Sequence, residues 1–129
     1  MNLTNLSKND TIIAPASAPG MGAIAVIRIS GPEAISITQK YFKPFKKGKN
    51  LSNVQSHTAH FGEIHDGKKA LDEVLINVFH DGKSFTGEET TEISCHGSTY
   101  ITQEIIKLFV DAGIRAADAG EFTMRAYRN

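Results

Sequence analysis

The run Ala23-Ile-Ala-Val-Ile-Arg-Ile29 constrains the fold of this chain more than any other feature. Four of its seven residues are β-branched, which favours extended backbone. A continuous apolar run of this length reads as a central strand buried on both faces. Ser30-Gly31-Pro32 then predicts a helix start, with Ser30 or Gly31 as cap and Pro32 in the first turn. That helix is expected to reach about Phe42.

Other segments group around this strand. Thr11 to Ala14 is a short strand, and residues 16 to 22 form a small-residue loop. Lys43 to Ser56 is a basic loop. Thr58 to Ile64 and Leu71 to Phe79 read as paired strands joined at Asp66-Gly67. Asp81 to Glu88 is a loop, and Glu89 to Cys95 alternates as a strand. Ser98 to Ala112 is the strongest helix, capped by Ser98 and ended by Gly113. Ile114 to Ala117 is a last short strand, and Glu121 to Asn129 begins another helix. The expected fold class is α+β: a mixed β-sheet with two main helices on one face. The other face is left for a ligand or a partner.

Bulk properties limit the function. A chain of 129 residues suits one domain with its own core. Fourteen Lys and Arg balance fourteen Asp and Glu, so there is no basic surplus for gripping nucleic acid unaided. The lone cysteine, Cys95, allows no internal disulfide and fits a reducing cytoplasm. The polar start has no signal-peptide core, and no run approaches the roughly 20 apolar residues of a membrane span. The expected location is cytoplasmic, away from the membrane.

Two phosphate-binding patterns fail on context. Gly82-Lys83-Ser84 resembles the end of a P-loop, but Asn77 occupies the place of its first glycine and no helix is expected after Ser84. Gly20-x-Gly22-x-x-Ala25 precedes a strand, whereas a dinucleotide fingerprint opens a helix.

The stretch Ser84 to Gly97 (SFTGEETTEISCHG) carries the most chemistry. In a strand, Thr91, Ile93 and Cys95 point one way, while Glu92, Ser94 and His96 point the other. The second set is either a solvated polar stripe or a polar site on the free face. Cys95 falls on the apolar side, as a buried inert thiol. Arg28 lies within the apolar strand and needs a partner, which is either a structural glutamate or an acidic ligand. Glu121 and Arg125 are four apart and can pair on a helix. The five histidines show no metal-ligand spacing, and His57 and His60 are expected on opposite strand faces, so no metal site is expected. Lys40, Lys43, Lys46, Lys47 and Lys49 form a solvated basic run.

Four stretches together resemble the MnmE (TrmE) family of tRNA wobble-uridine modification GTPases, in its N-terminal domain. They are DTIIA from Asp10, APGMGAIAVIRISG from Ala18, SFTGEETTEISCHG from Ser84 and GIRAADAGEFTMRAYRN from Gly113. The resemblance covers about residues 10 to 129. Many members carry an arginine between the two loop glycines, where this chain has Met21. A ligand contact from that position is not carried over.

The resemblance implies a domain like the tetrahydrofolate-binding domain of aminomethyltransferases. It implies a flexible tail over residues 1–9, a folate-binding and dimerising domain over 10–120, and a truncated helix over 121–129 leading to helical and G domains. The implied ligand is 5-formyltetrahydrofolate or a related tetrahydrofolate. GTP, K+ and Mg2+ belong to the G domain, so no catalytic residue is expected here. Implied partners are a second copy, an FAD-dependent MnmG-type protein and tRNA. Together they would add a carboxymethylaminomethyl-type group to C5 of the wobble uridine. A pterin offers N–H donors to a carboxylate, and its anionic glutamate tail suits arginine. Glu121 and Arg125 with Arg28 are the leading candidates for the folate site, followed by Glu92 and His96. The rival functions are a ligand-free dimerisation scaffold and a stand-alone aminomethyltransferase-like enzyme.

Overall fold

A computed structural model describes residues 9–17, 22–82 and 84–129. The expected tail up to Lys8, the Met21 position and Lys83 lie outside the described residues. The strands are β1 (Ile12–Pro15), β2 (Ile24–Ser30), β3 (Phe42–Pro44), β4 (Thr58–His65), β5 (Ala70–Phe79), β6 (Thr90–His96) and β7 (Arg115–Ala116). The helices are α1 (Ala34–Tyr41), α2 (Thr99–Asp111) and α3 (Glu121–Arg128).

All seven strands form one sheet in the order β3-β4-β5-β6-β2-β1-β7. β1 and β7 run parallel, and the other neighbours pair antiparallel. The fold is therefore α+β on a mixed sheet. Strand alternation sends Ile13, Ile27, Ile29, Ile76, Val78, Ile93 and Cys95 to one face. There they pack with Ala34 and Ile35 of α1 and Ile105 and Phe109 of α2. The Tyr41 ring meets Phe109 edge-on at 5.6 Å, tying the two helices together. Each fully buried side chain of this kind contributes roughly 1.5–3 kcal/mol.

The structure corrects several expectations. β2 is central, but it is not buried on both faces: Ile27 and Ile29 are fully buried while Ile24 is 66% exposed. No described layer covers the Ile24 end of the opposite face. α1 starts later than expected, with Glu33 as N-cap and no side-chain cap bond of its own. Its first amides are met from afar. Thr11 Oγ1 accepts from the Glu33 N–H, and a Glu89 carboxylate oxygen accepts from the Ile35 N–H, both at 2.8 Å. A carboxylate at a helix N-terminus also complements the dipole. Gly31 and Pro32 precede the helix, and a Cβ on Gly31 would lie 2.5 Å from the Thr11 Cα.

Within the expected loop Lys43 to Ser56, β3 pairs with β4, and a 3-10 turn spans Leu51–Asn53. Both elements are too short to leave a periodic pattern. His57 precedes β4 with a φ of 64°, so it is not a strand residue, while His60 faces the core side and is buried. Elsewhere the local signals operate as expected. Ser98 accepts from the Ile101 N–H, Gly113 takes a φ of 105°, and Asp66 Oδ1 accepts from the Lys68 and Lys69 amides.

Candidate open-face site

The strand parity that buries Ile27, Ile29 and Ile93 turns Val26, Arg28, Glu92 and Ser94 toward the opposite face. Arg28 and Glu92 stand directly opposite each other across β2 and β6. The Arg28 Nε donates to a Glu92 carboxylate oxygen at 2.8 Å, and Nη2 approaches the same oxygen at 2.7 Å. Both side chains remain about a fifth exposed (23% and 22%), so water or a ligand can reach them. The guanidinium carbon lies 5.3 Å from the Phe85 ring centroid and 5.8 Å from that of Phe122. Aromatic faces attract a guanidinium, and here they hold it over the sheet. Of the two partners left open for Arg28, the fold supplies the glutamate.

One register step away the same face is apolar. Phe61 opposes Leu75, Leu75 opposes Ser94, and Ser94 opposes Val26. Ile24, Phe45 and Phe61 are each more than half exposed. These residues, with Glu73, Ser94 and His96, line a cleft of about 410 Å³. His96 is one of its lining residues. Its backbone N–H and its ring Nδ1 bond the two carboxylate oxygens of Asp72, at 2.8 and 2.7 Å.

Glu121 and Arg125 belong to a different environment. Both are almost completely buried, at 1% and 2% exposure. Arg125 Nη2 lies 3.4 Å from Glu121 and 3.1 Å from Asp10, and Nη1 lies 3.1 Å from Glu88. Arg115 bridges Glu121 at 2.6 Å and Asp10 at 2.8 Å. Burial pushes the Glu121 carboxyl up. The Arg115 hydrogen bond, the Asp118 amide and two nearby guanidinium charges outweigh it and hold the group below its ordinary range. A hydrogen bond from Arg115 likewise lowers Asp10, and the same contacts raise Arg115. The network fastens α3 to β7, to the segment just before β1 and to the loop before β6. Asn129 Nδ2 adds a bond to the Thr86 carbonyl at 2.9 Å. Thr86 and Ser30, both fully buried, share a 2.6 Å hydrogen bond beneath it.

The structure thus brings Arg28 and Glu92 together, places His96 on the same face, and puts Glu121 and Arg125 in a buried cluster. Sequence reasoning missed Asp10, Asp72, Arg115 and the aromatics Phe61, Phe85 and Phe122. The odd-numbered parity of Phe61 and Leu75 was the available signal for the apolar strip. Cys95 is buried, and burial pushes its thiol up, as an inert side chain requires. Gly82 and Ser84 sit in a turn, where Gly82 N–H bonds the Gly87 carbonyl and no helix follows. Among the described residues no three His, Cys, Asp or Glu side chains gather to hold a metal, and no helix is long and apolar enough to cross a membrane.

Comparison with known proteins adds a family. The family described as GTP-binding protein TrmE N-terminus matches residues 11–129. A tRNA modification GTPase MnmE of Flavobacterium johnsoniae is 58% identical over 120 residues, covering 93% of this chain and 26% of the relative. That of Christiangramia forsetii is 54% identical over 121 residues, covering 94% and 25%. That of Cytophaga hutchinsonii is 49% identical over 130 residues, covering 100% and 27%. The chain spans about a quarter of the length of these curated relatives.

Proposed function

The chain belongs to the family of GTP-binding protein TrmE N-termini, and on that premise we propose that it is the tetrahydrofolate-binding, homodimer-forming domain of a tRNA modification GTPase. In the whole protein, GTP hydrolysis with K+ and Mg2+ belongs to a separate G domain. With an FAD-dependent MnmG-type partner, that protein would install a carboxymethylaminomethyl-type group on C5 of the wobble uridine. This domain's share is to hold the one-carbon carrier. It works in the cytoplasm and needs no GTP chemistry of its own.

The observation that carries this reading is the Arg28–Glu92 pair, part-exposed on the sheet face opposite α1 and α2 and flanked by Phe85 and Phe122. The Glu92 carboxylate, anchored by Arg28, can accept forked pterin N–H donors. The apolar strip beside them suits a flat ring. In this proposal Arg28, Glu92 and His96 touch the ligand, while Glu121 and Arg125 position α3 and the Phe122 ring behind Arg28. When bound, the tetrahydrofolate supplies a one-carbon unit. The exposed Ile24, Phe45 and Phe61 favour a protein contact on the same face, which suits the second copy.

Equilibrium dialysis with labelled 5-formyltetrahydrofolate tests the ligand half of the proposal. Saturable uptake near one molecule per chain is expected. A folded chain that takes up none is a scaffold or something else.

A further inference from the structure

Acid and base are segregated along this chain, although its net charge is zero. Residues 34–62 hold five lysines and no Asp or Glu, so the rest of the chain carries nine Lys and Arg against fourteen acids. The fold puts four of those lysines at one edge of the sheet. Lys43 lies in the edge strand β3, and Lys46, Lys47 and Lys49 follow it directly. Among the described residues Lys107 pairs with Asp111 at 3.3 Å, but none of these four lysines pairs with an acid. Lys43 alone has one opposite it in the register, Glu63. Lys49 is held by a base instead. The Thr58 hydroxyl donates to the Gln55 carbonyl at 2.6 Å, so it accepts from His60 Nε2 at 2.8 Å. That leaves His60 Nδ1 as the acceptor for the Lys49 ammonium at 3.3 Å. Burial, and then the Lys49 charge, hold this imidazole below its ordinary range. A neutral ring thus fixes the lysine without cancelling its charge.

The segment is also pinned. A Cβ at Gly62 would collide with the Lys43 carbonyl, so glycine lets β3 lie close against β4. The Leu51 N–H bonds the Gln39 side chain at 2.7 Å and closes the loop behind the lysines. The Phe45 N–H bonds the Phe61 carbonyl at 3.1 Å, and both rings are more than half exposed. With Lys46, Lys49 and Ala59 they line a groove of about 220 Å³. Phe45 and Phe61 are the residues this groove shares with the larger cleft, so it is a second opening on the edge side of them. A row of uncompensated lysines attracts a polyanion, and an exposed aromatic ring beside it stacks unpaired bases. We infer that the β3 edge is an RNA contact, in which Lys43, Lys46, Lys47 and Lys49 meet backbone phosphates and the Phe45 ring stacks a base at the groove. Ile24 and Phe61 remain for the protein contact on the open face, and Phe45 borders both. The choice of RNA among polyanions rests on the tRNA-modifying role proposed above.

Fluorescence anisotropy of the chain with a labelled single-stranded RNA of about 12 nucleotides tests this. Saturable binding is expected, weakening with salt at a log–log slope of roughly −3, from about 0.7 per phosphate contacted. Lys46→Gln combined with Lys47→Gln should weaken binding about fivefold or more and flatten the slope by roughly 1.4. Lys107→Gln on α2 should leave both unchanged. Phe45→Leu should weaken binding several-fold at an unchanged slope, as loss of a stack does and loss of a phosphate contact does not. Absence of saturable binding, or a double variant no weaker than Lys107→Gln, overturns the inference. Equal displacement of the RNA by poly-L-glutamate of matched charge, which has no bases to stack, also overturns it. Lysines that only deter edge-to-edge strand pairing predict a double variant that aggregates and a wild-type chain that binds no RNA, and that result overturns it too. A chain that takes up 5-formyltetrahydrofolate but no RNA ends this inference and leaves the folate reading standing. RNA held through these lysines without folate uptake does the reverse.

Discussion

Arg125 of the C-terminal helix and Glu88 of the loop before β6 meet at 3.1 Å, although 37 residues separate them in the chain. This pair joins the GEFT-x-RA segment to the SFTGE segment. Two of the four stretches that carry the family resemblance therefore form one joint. Gly87 fits it too, with a φ of 77° and a would-be Cβ 2.9 Å from the Asn129 Cβ.

Breaking that joint from one side should be costly. Arg125→Met removes the buried cation that faces Glu88, Glu121 and Asp10 and leaves the buried Glu121 and the half-buried Glu88 short of a partner. Losing one member of a buried ionic cluster typically costs about 3–5 kcal/mol. Urea denaturation should show a loss of that order, against less than about 0.5 kcal/mol for a surface control at Lys107→Met. An unchanged midpoint for Arg125→Met would mean that α3 is not held this way.

The same cluster should make stability depend on acid. Asp10 and Glu121 are held below their ordinary values of 3.8 and 4.5 by arginine contacts. A carboxyl depressed in the fold stabilises it above its unfolded value, and that contribution fades as pH falls through its folded value. The two carboxyls should leave urea midpoints unchanged from neutral pH to about 5 and lower them below about 4.5, on top of a separate loss below about 6.5 from His60, whose burial holds its ring below the ordinary value. Asp10→Asn should shallow the acid limb. A slope identical to wild type would remove Asp10 from the cluster's energetics.

Gly97→Ala tests the close approach beside His96. The new methyl would sit 1.8 Å from the Gly22 carbonyl oxygen, so the backbone must move. Overpacking of this kind costs roughly 1–3 kcal/mol, measurable by thermal melting. Gly113→Ala is a contrasting control. Its Cβ meets nothing within 4 Å, but the φ of 105° still strains it. It should lose stability without disturbing the His96 ring signals, which Gly97→Ala should shift.

Cys95 gives a prediction about chemistry rather than stability. Its side chain is buried against the core, and burial raises its thiol pKa. The thiolate is the reactive form. A thiol reagent such as dithionitrobenzoate should label it only as fast as the chain opens, and promptly once urea is added. Rapid labelling of the folded chain would contradict the packing described for β6.

Much of the fold could be read from particular residues. The alternation Thr91, Ile93, Cys95 against Glu92, Ser94, His96 set the two faces of β6 correctly, because a strand's period is fixed by its pleat. Ser98 and Gly113 marked both ends of α2 through local backbone needs. β3 and the 3-10 turn at Leu51–Asn53 were not legible, since elements of three residues are set by tertiary pairing. The α1 start was misplaced because its amides are met by Thr11 and Glu89, and no local rule points that far. Site residues followed the same division. Face and type were readable for Arg28, Glu92 and His96. The partnerships of Asp72 with His96 and of Arg115 with Asp10 span 24 and 105 residues and could not be seen in one sequence.

The open sheet face is the heart of the proposed function, and NMR can locate a ligand on it. The chain, labelled with 15N and 13C, is titrated with 5-formyltetrahydrofolate. Saturable shifts should gather on Arg28, Glu92, Phe61 and His96, while Ile105 and Phe109 under the helices stay still. A titration that leaves the open-face signals unmoved, or that moves only the helix face, would contradict the claim that this face is the folate site.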